Sequence, residues 1–198
     1  MEINESGLSF TFDETTNAVK FDDTNFYRKY YNRLPSGKGV DIIATNKKHL
    51  LLIEIKNCSG HEADNAWRTS SNNSKVSQDP NDPNGHFGED SFDIEVAKKV
   101  ASTISCLYGA WTKQSGCESA AELEPLWVSA TRKTILSDKT PVFVILVLEG
   151  NFGSKTRTKR AIMKTLQDSI LAKLSWLNCR VAVVDSATYR RDFFTIEA

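Results

Sequence analysis

The sequence predicts an α/β (α+β) protein, built as a mixed central β-sheet flanked by helices, with an N-terminal hairpin and a long polar insertion. Three observations predict it. Two apolar bursts, "VDIIA" and "LLLIEI", are too short for ordinary helices and lie on either side of the turn-forming "TNKKH". A stripe at helical spacing follows, with Ala97, Val100, Ile104, Leu107 and Trp111. The chain then runs strand, helix, strand: "PVFVILVLE" at 141–149, an amphipathic stretch through Met163, Leu166, Ile170, Leu174 and Leu177, and "RVAVVD" at 180–185. That last succession implies a parallel strand pair.

Taken in order, residues 7–22 hold "LSFTF" and "AVKF" joined by "DETTN", which predicts a β-hairpin. Asp23 or Thr24 is suited to cap a short helix over "NFYRKYYNRL", whose Phe26, Tyr30 and Leu34 recur every four residues. Pro35, Ser36, Gly37 and Gly39 end it. The two apolar bursts then form an antiparallel hairpin. Residues 57–92 are rich in Asn, Ser, Asp, Gly and Pro, and predict a long polar loop insertion. The helical stripe spans about 92–112. Pro125 fits the first turn of a further helix that begins near Leu123 and carries Trp127 and Ala130.

At 198 residues, with 40% hydrophobic and 25% charged residues, one domain over 1–198 is expected. No apolar run approaches a membrane span, and "MEINESGLSF" lacks the basic and apolar regions of a secretory signal, so a cytoplasmic protein is expected. The formal net charge of zero argues against a general nucleic-acid coat but leaves room for a local basic groove.

The chemistry lies in the second hairpin. Side chains alternate along a strand, so Leu50, Leu52, Glu54 and Lys56 share one face and Leu51, Ile53 and Ile55 the other. If Lys47 and Lys48 form the turn, Asp41 lies directly across from Glu54. If the turn centres on Asn46 and Lys47, Asp41 is its diagonal neighbour. Two opposed carboxylates about 5 Å apart destabilise a sheet. A divalent cation between them removes that penalty, and Mg²⁺ or Mn²⁺ with one or two carboxylates is the arrangement that binds phosphates. Lys56 then stands where an attacking water or a phosphate would be, with burial and the metal expected to lower its pKa. These are the parts that phosphodiester hydrolysis needs.

The pattern Asp41–x(12)–Glu54–x–Lys56, on a hairpin preceded by a helix and followed by a long helix and a further strand, resembles the PD-(D/E)XK, or restriction-endonuclease-like, nuclease superfamily. "IEIKNCSGH" and "EVAKKVASTI" are similar to segments of bacterial proteins of that superfamily. The resemblance covers roughly residues 20–150. It implies a metal-dependent nuclease acting on DNA or RNA, with Asp41, Glu54 and the Ile55 carbonyl holding Mg²⁺ or Mn²⁺ and Lys56 assisting the attacking water. Two positions depart from the pattern. Val40 stands in place of the motif's proline, and the helix before the hairpin offers no glutamate, only Asp22 and Asp23 near its start. The alternative is therefore a nuclease fold without turnover that binds nucleic acid or protein. Lys155, Arg157, Lys159 and Arg160, near a helix start, are candidate contacts for a nucleic-acid backbone. Lys98 or Lys99 is expected to reach the hairpin from the following helix, and the 58–92 loop is a candidate surface for a protein partner.

Overall fold

A computed structural model describes residues 1–34, 37–46, 48–75, 89–131 and 142–197. Lys47 of the predicted turn, residues 76–88 of the predicted polar loop and Pro141 at the start of a predicted strand lie outside them.

The chain opens with β1 (Glu2–Glu5) and β2 (Leu8–Thr11), an antiparallel hairpin. Its two-residue turn places both Ser6 and Gly7 at positive φ, the geometry that follows the strand twist. This corrects the hairpin expected over 7–22. "LSFTF" pairs backward with β1, while β3 (Asn17–Lys20) crosses to another sheet and pairs with β4 (Ile42–Thr45). The "DETTN" link is a local turn, in which Asp13 accepts bonds from the Thr15 backbone and from the Thr15 and Thr16 hydroxyls. Between β3 and β4 lies α1 (Asn25–Lys29), capped by Thr24 as expected and continued by a single 3-10 turn at Tyr31–Arg33.

β4 pairs antiparallel with β5 (Leu50–Asn57), and β5 pairs in parallel with β8 (Val142–Glu149), which pairs in parallel with β9 (Cys179–Val184). The sheet order is β3-β4-β5-β8-β9. β5 is thus the central strand, and β9 is an edge.

The polar insertion has more structure than its composition predicts. It contains α2 (Glu62–Asn65), a 3-10 turn at Ala66–Thr69, and a small ladder of β6 (Ser74–Lys75) with β7 (Glu89–Asp90). These pieces are held by polar contacts and so leave no hydrophobic periodicity to read. Helix α3 (Phe92–Thr112) follows with the expected bounds. Its buried stripe is Phe92, Val96, Val100, Thr103, Leu107 and Ala110, rotated from the expected one, and Trp111 faces outward. Then come α4 (Glu118–Ala121), α5 (Glu124–Thr131, with Pro125 in its first turn), α6 (Lys159–Lys173) and β10 (Thr195–Glu197), which joins β2.

The alternation along β5 divides the core in two. Leu50 and Leu52 pack with α3, α5 and α6 on one face, while Leu51, Ile53 and Ile55 pack with Phe10 and Ile196 of the three-stranded sheet, and with Phe12 just after it, on the other. Each face buries apolar surface worth roughly 25 cal/mol per Å². Glu54 points into the helical side, toward α3.

Candidate metal and phosphodiester site

The ladder of β4 and β5 ends at Ile42↔Ile53, and one step beyond it Asp41 and Glu54 both reach the Lys99 ammonium. The pairing is the one in which Asp41 and Glu54 are directly opposed and not diagonal. Three contacts fix Asp41. Its Oδ2 accepts the Ile55 backbone N–H at 2.7 Å, its carbonyl accepts from Phe21 N at 2.9 Å, and the preceding Val40 N–H donates to the Thr103 hydroxyl of α3 at 3.0 Å. The same hydroxyl donates to the Lys99 carbonyl at 2.8 Å, so Thr103 ties the hairpin to the turn of α3 that carries Lys99. Gly39 is needed at the entry. A Cβ there would fall 2.4 Å from the Phe21 ring.

Glu54 is fully buried. Its Oε1 accepts from Lys99 Nζ at 2.6 Å and faces Lys56 Nζ at 2.9 Å, while Oε2, also buried, has no hydrogen-bond partner. Lys99 Nζ also reaches Asp41 Oδ1 at 3.3 Å and so bridges the two carboxylates. Lys56 Nζ donates to Glu95 Oε1 at 2.8 Å, and Arg68 of the insertion pairs with Glu95 Oε2. The cluster therefore holds three acids (Asp41, Glu54, Glu95) and three cations (Lys56, Lys99, Arg68).

The charges shape one another. Burial pushes the Glu54 carboxyl up to about 7, against the pull of Lys56 and Lys99. Burial also works against the Lys56 ammonium, but Glu54 and Glu95 outweigh it and hold Lys56 above the usual lysine range. The lowering that burial was expected to give Lys56 is thus outweighed by its two acidic neighbours. Lys99 is likewise held high, with Glu54 and Asp41 overcoming burial. Glu95 lies below the usual glutamate range because Lys56, Lys99 and Arg68 together outweigh its burial.

A model for a family of unknown function, DUF6661, matches residues 24–198. The chain belongs to DUF6661. No curated protein and no solved structure matches it. The DUF6661 match includes the hairpin, α3 and all six residues of the charged cluster, and it begins after β3.

Of the expected site residues, Asp41, Glu54 and Lys56 come together. The residue Ile55 supplies its backbone N–H to Asp41, and its side chain packs on the opposite face. Lys98 turns away from the cluster to pair with Asp90 at 2.7 Å, and Lys99 takes the inward position. Lys155, Arg157 and Arg160 are exposed or half-buried, whereas Lys159 pairs with Asp185 at 2.5 Å. The basic stretch follows the carboxyl end of β8, the same end of the sheet as Lys56. There Phe152 packs on Phe92 of α3, and Asn151 N donates to Glu62 of the insertion.

Glu95, Arg68 and Thr103 were not legible as site residues. Glu95 does stand four residues before Lys99, and that spacing puts both on one helix face. Arg68 arrives from the polar insertion, where Arg68 Nε donates to the Asp90 carbonyl at 3.0 Å and its guanidinium lies over Phe92. The described part of the 58–92 segment is engaged with the site in this way.

Among the described residues no three His, Cys, Asp or Glu side chains form a ready-made metal-binding group, and no helix is long and apolar enough to cross a membrane. Two surface concavities lie elsewhere, one between α1 and α4 around Tyr30 and Cys117, the other at the end of α6 around Leu171 and Leu177. The charged cluster instead borders open surface, with side-chain exposure rising from 0% at Glu54 through 11% at Lys99 to 22% at Asp41.

Proposed function

We propose that this chain is a Mg²⁺- or Mn²⁺-dependent nuclease that hydrolyses phosphodiester bonds in DNA or RNA. The observation that carries the reading is Glu54. A fully buried carboxylate, opposed by Asp41, keeps one oxygen without a partner beside two ammonium groups. A structural ion pair would satisfy both oxygens. The donor set suits a hard cation, and Mg²⁺ is commonly held by one or two carboxylates, with water and substrate phosphate completing the shell. Asp41 and Glu54 would hold it, with the Ile55 carbonyl as the third oxygen that the motif implies. The bound ion would polarise the phosphate and lower the pKa of a bound water.

This chain's own groups supply the rest. Lys56, kept charged by Glu54 and Glu95, donates to a phosphate oxygen as negative charge develops there. Glu95 and Arg68 fix its direction. Asp41 is oriented by the Ile55 N–H, and α3 is held to it through Thr103. The site borders open surface, which suits a polymer, and Lys155, Arg157 and Arg160 at the same end of the sheet offer charge for its backbone. The order of helix, hairpin, long helix and parallel strand agrees with the PD-(D/E)XK resemblance.

The test is cleavage of single- and double-stranded DNA and RNA with Mg²⁺, compared with EDTA, Glu54→Ala and Lys56→Ala. Activity lost in all three is expected, and equal activity in all four samples would refute the reading. A second reading, a nuclease fold that binds without turnover, is favoured by the exact balance of three acids and three cations. Calorimetric titration with Mn²⁺ separates the two. Heat that disappears in Asp41→Asn argues against the second.

A further inference from the structure

The space between Asp41 and Glu54 is not open. Lys99 Nζ stands 2.6 Å from Glu54 Oε1 and 3.3 Å from Asp41 Oδ1, so one ammonium serves both carboxylates. The free oxygen, Glu54 Oε2, is shielded from solvent. A cation from solution therefore meets the pair on the side where Lys99 and Lys56 stand. Magnesium requires its oxygens at about 2.0–2.1 Å, closer than an ammonium holds them, and cannot share this position with one. Charge leads to the same result. With Lys99 in place, Asp41 and Glu54 have two ammonium groups beside them, Lys99 and Lys56, and attract no further cation. With Lys99 moved away, the two acids keep only Lys56, and a cation is attracted.

We infer that Lys99 is an internal counter-cation, occupying the metal position in the free protein, which must leave Asp41 and Glu54 before a divalent ion can bind them. This rests on the reading of those two residues as metal ligands. Glu95 is placed to receive the displaced ammonium. It lies one helical turn earlier on α3, and its Oε1 is already 3.9 Å from Lys99 Nζ. A substrate phosphate is a second acceptor for the released charge. Metal and polyanion are then coupled, because each stabilises the state with Lys99 withdrawn, and the coupling is reciprocal.

The experiment is calorimetric titration of Mn²⁺ into the full chain, as wild type, Lys99→Met and Glu54→Gln, with folding of each checked by circular dichroism. Wild type is expected to bind weakly, Lys99→Met at least about tenfold more tightly, and Glu54→Gln not at all. Binding abolished by Glu54→Gln but equal or weaker in Lys99→Met overturns the inference and leaves the metal site standing. Binding that survives Glu54→Gln, or is absent from every sample, removes the metal reading and the inference with it. Should Lys99→Met not fold, wild type labelled with ¹³C at the lysine ε carbons decides the matter. The Lys99 signal, identified by its loss in Lys99→Arg, is expected to shift on adding Mg²⁺. A signal unmoved at saturating Mg²⁺ overturns the inference.

Discussion

Two carboxylates of this protein have no exposed surface and lie against helix α3, yet their surroundings are opposite. Asp93, in the first turn of α3, is completely satisfied. Its Oδ1 accepts from the Ser91 hydroxyl, and its Oδ2 accepts from Asn72 N–H, the Ser169 hydroxyl and Lys173 Nζ. Burial opposes its charge, but these donors prevail and hold it at about 2. Glu54 crowds two ammonium groups onto one oxygen and leaves the other with none, and burial raises it to about 7. Asp93 joins the polar insertion, α3 and α6 at a single point. Glu54 is held in an unfavourable state by the sheet around it. A buried charge with every partner present belongs to the scaffold, whereas the missing partner at Glu54 is the observation that supports the proposed metal site.

The largest expected effect comes from breaking the satisfied acid. Asp93→Ala takes the carboxylate from Lys173, which keeps only neutral acceptors on Asn72 and Ser169, and removes four hydrogen bonds, so a loss of about 3 kcal/mol is expected in urea unfolding. Glu54→Gln should cost far less stability while cleavage falls at least about a hundredfold. Equal destabilisation by the two substitutions would erase the distinction.

A smaller effect depends on pH. The folded chain keeps a proton on Glu54 up to about pH 7, whereas an ordinary glutamate loses it near 4.5. Folding therefore takes up a proton in that window, and the Glu54 contribution to stability falls as pH rises through it. Glu54→Gln lacks this loss. Relative to wild type it should gain on the order of 2 kcal/mol between about pH 5 and about pH 8, measured by urea unfolding at each pH. Asp93→Asn should show the reverse trend at acid pH. The Asp93 pKa is depressed, so its contribution is present above about pH 4 and is lost as pH falls toward 2. The smallest effect sharpens the positioning of the site. Thr103→Val leaves the Val40 N–H without its acceptor, which should cost about 1–2 kcal/mol and weaken Mn²⁺ binding several-fold through Asp41.

The hairpin and the face shared by Glu54 and Lys56 were legible because strand alternation is strictly local and both flanks are apolar, whereas two registers fitted the turn residues equally well. The bounds of α3 were legible for the same kind of reason. What escaped the sequence is long-range or polar. Pairing of β2 with β1 and β10 depends on the Ser6-Gly7 turn and on a strand more than a hundred and eighty residues away. Arg68 reaches Glu95 from an insertion without hydrophobic pattern. That Lys99 and not Lys98 faces inward is set by the helix phase around Val96, Val100 and Thr103; the expected stripe shared Val100 and Leu107 but had Ala97 and Ile104 where Val96 and Thr103 are buried.

The most direct measurement is a crystal structure of the protein soaked in Mn²⁺, with anomalous scattering to locate the ion. The account predicts a peak between Asp41 and Glu54, with Glu54 Oε2 or Oε1 coordinated and the Lys99 ammonium moved toward Glu95. No peak at that position under saturating Mn²⁺, with Lys99 still bridging the two carboxylates, would contradict it.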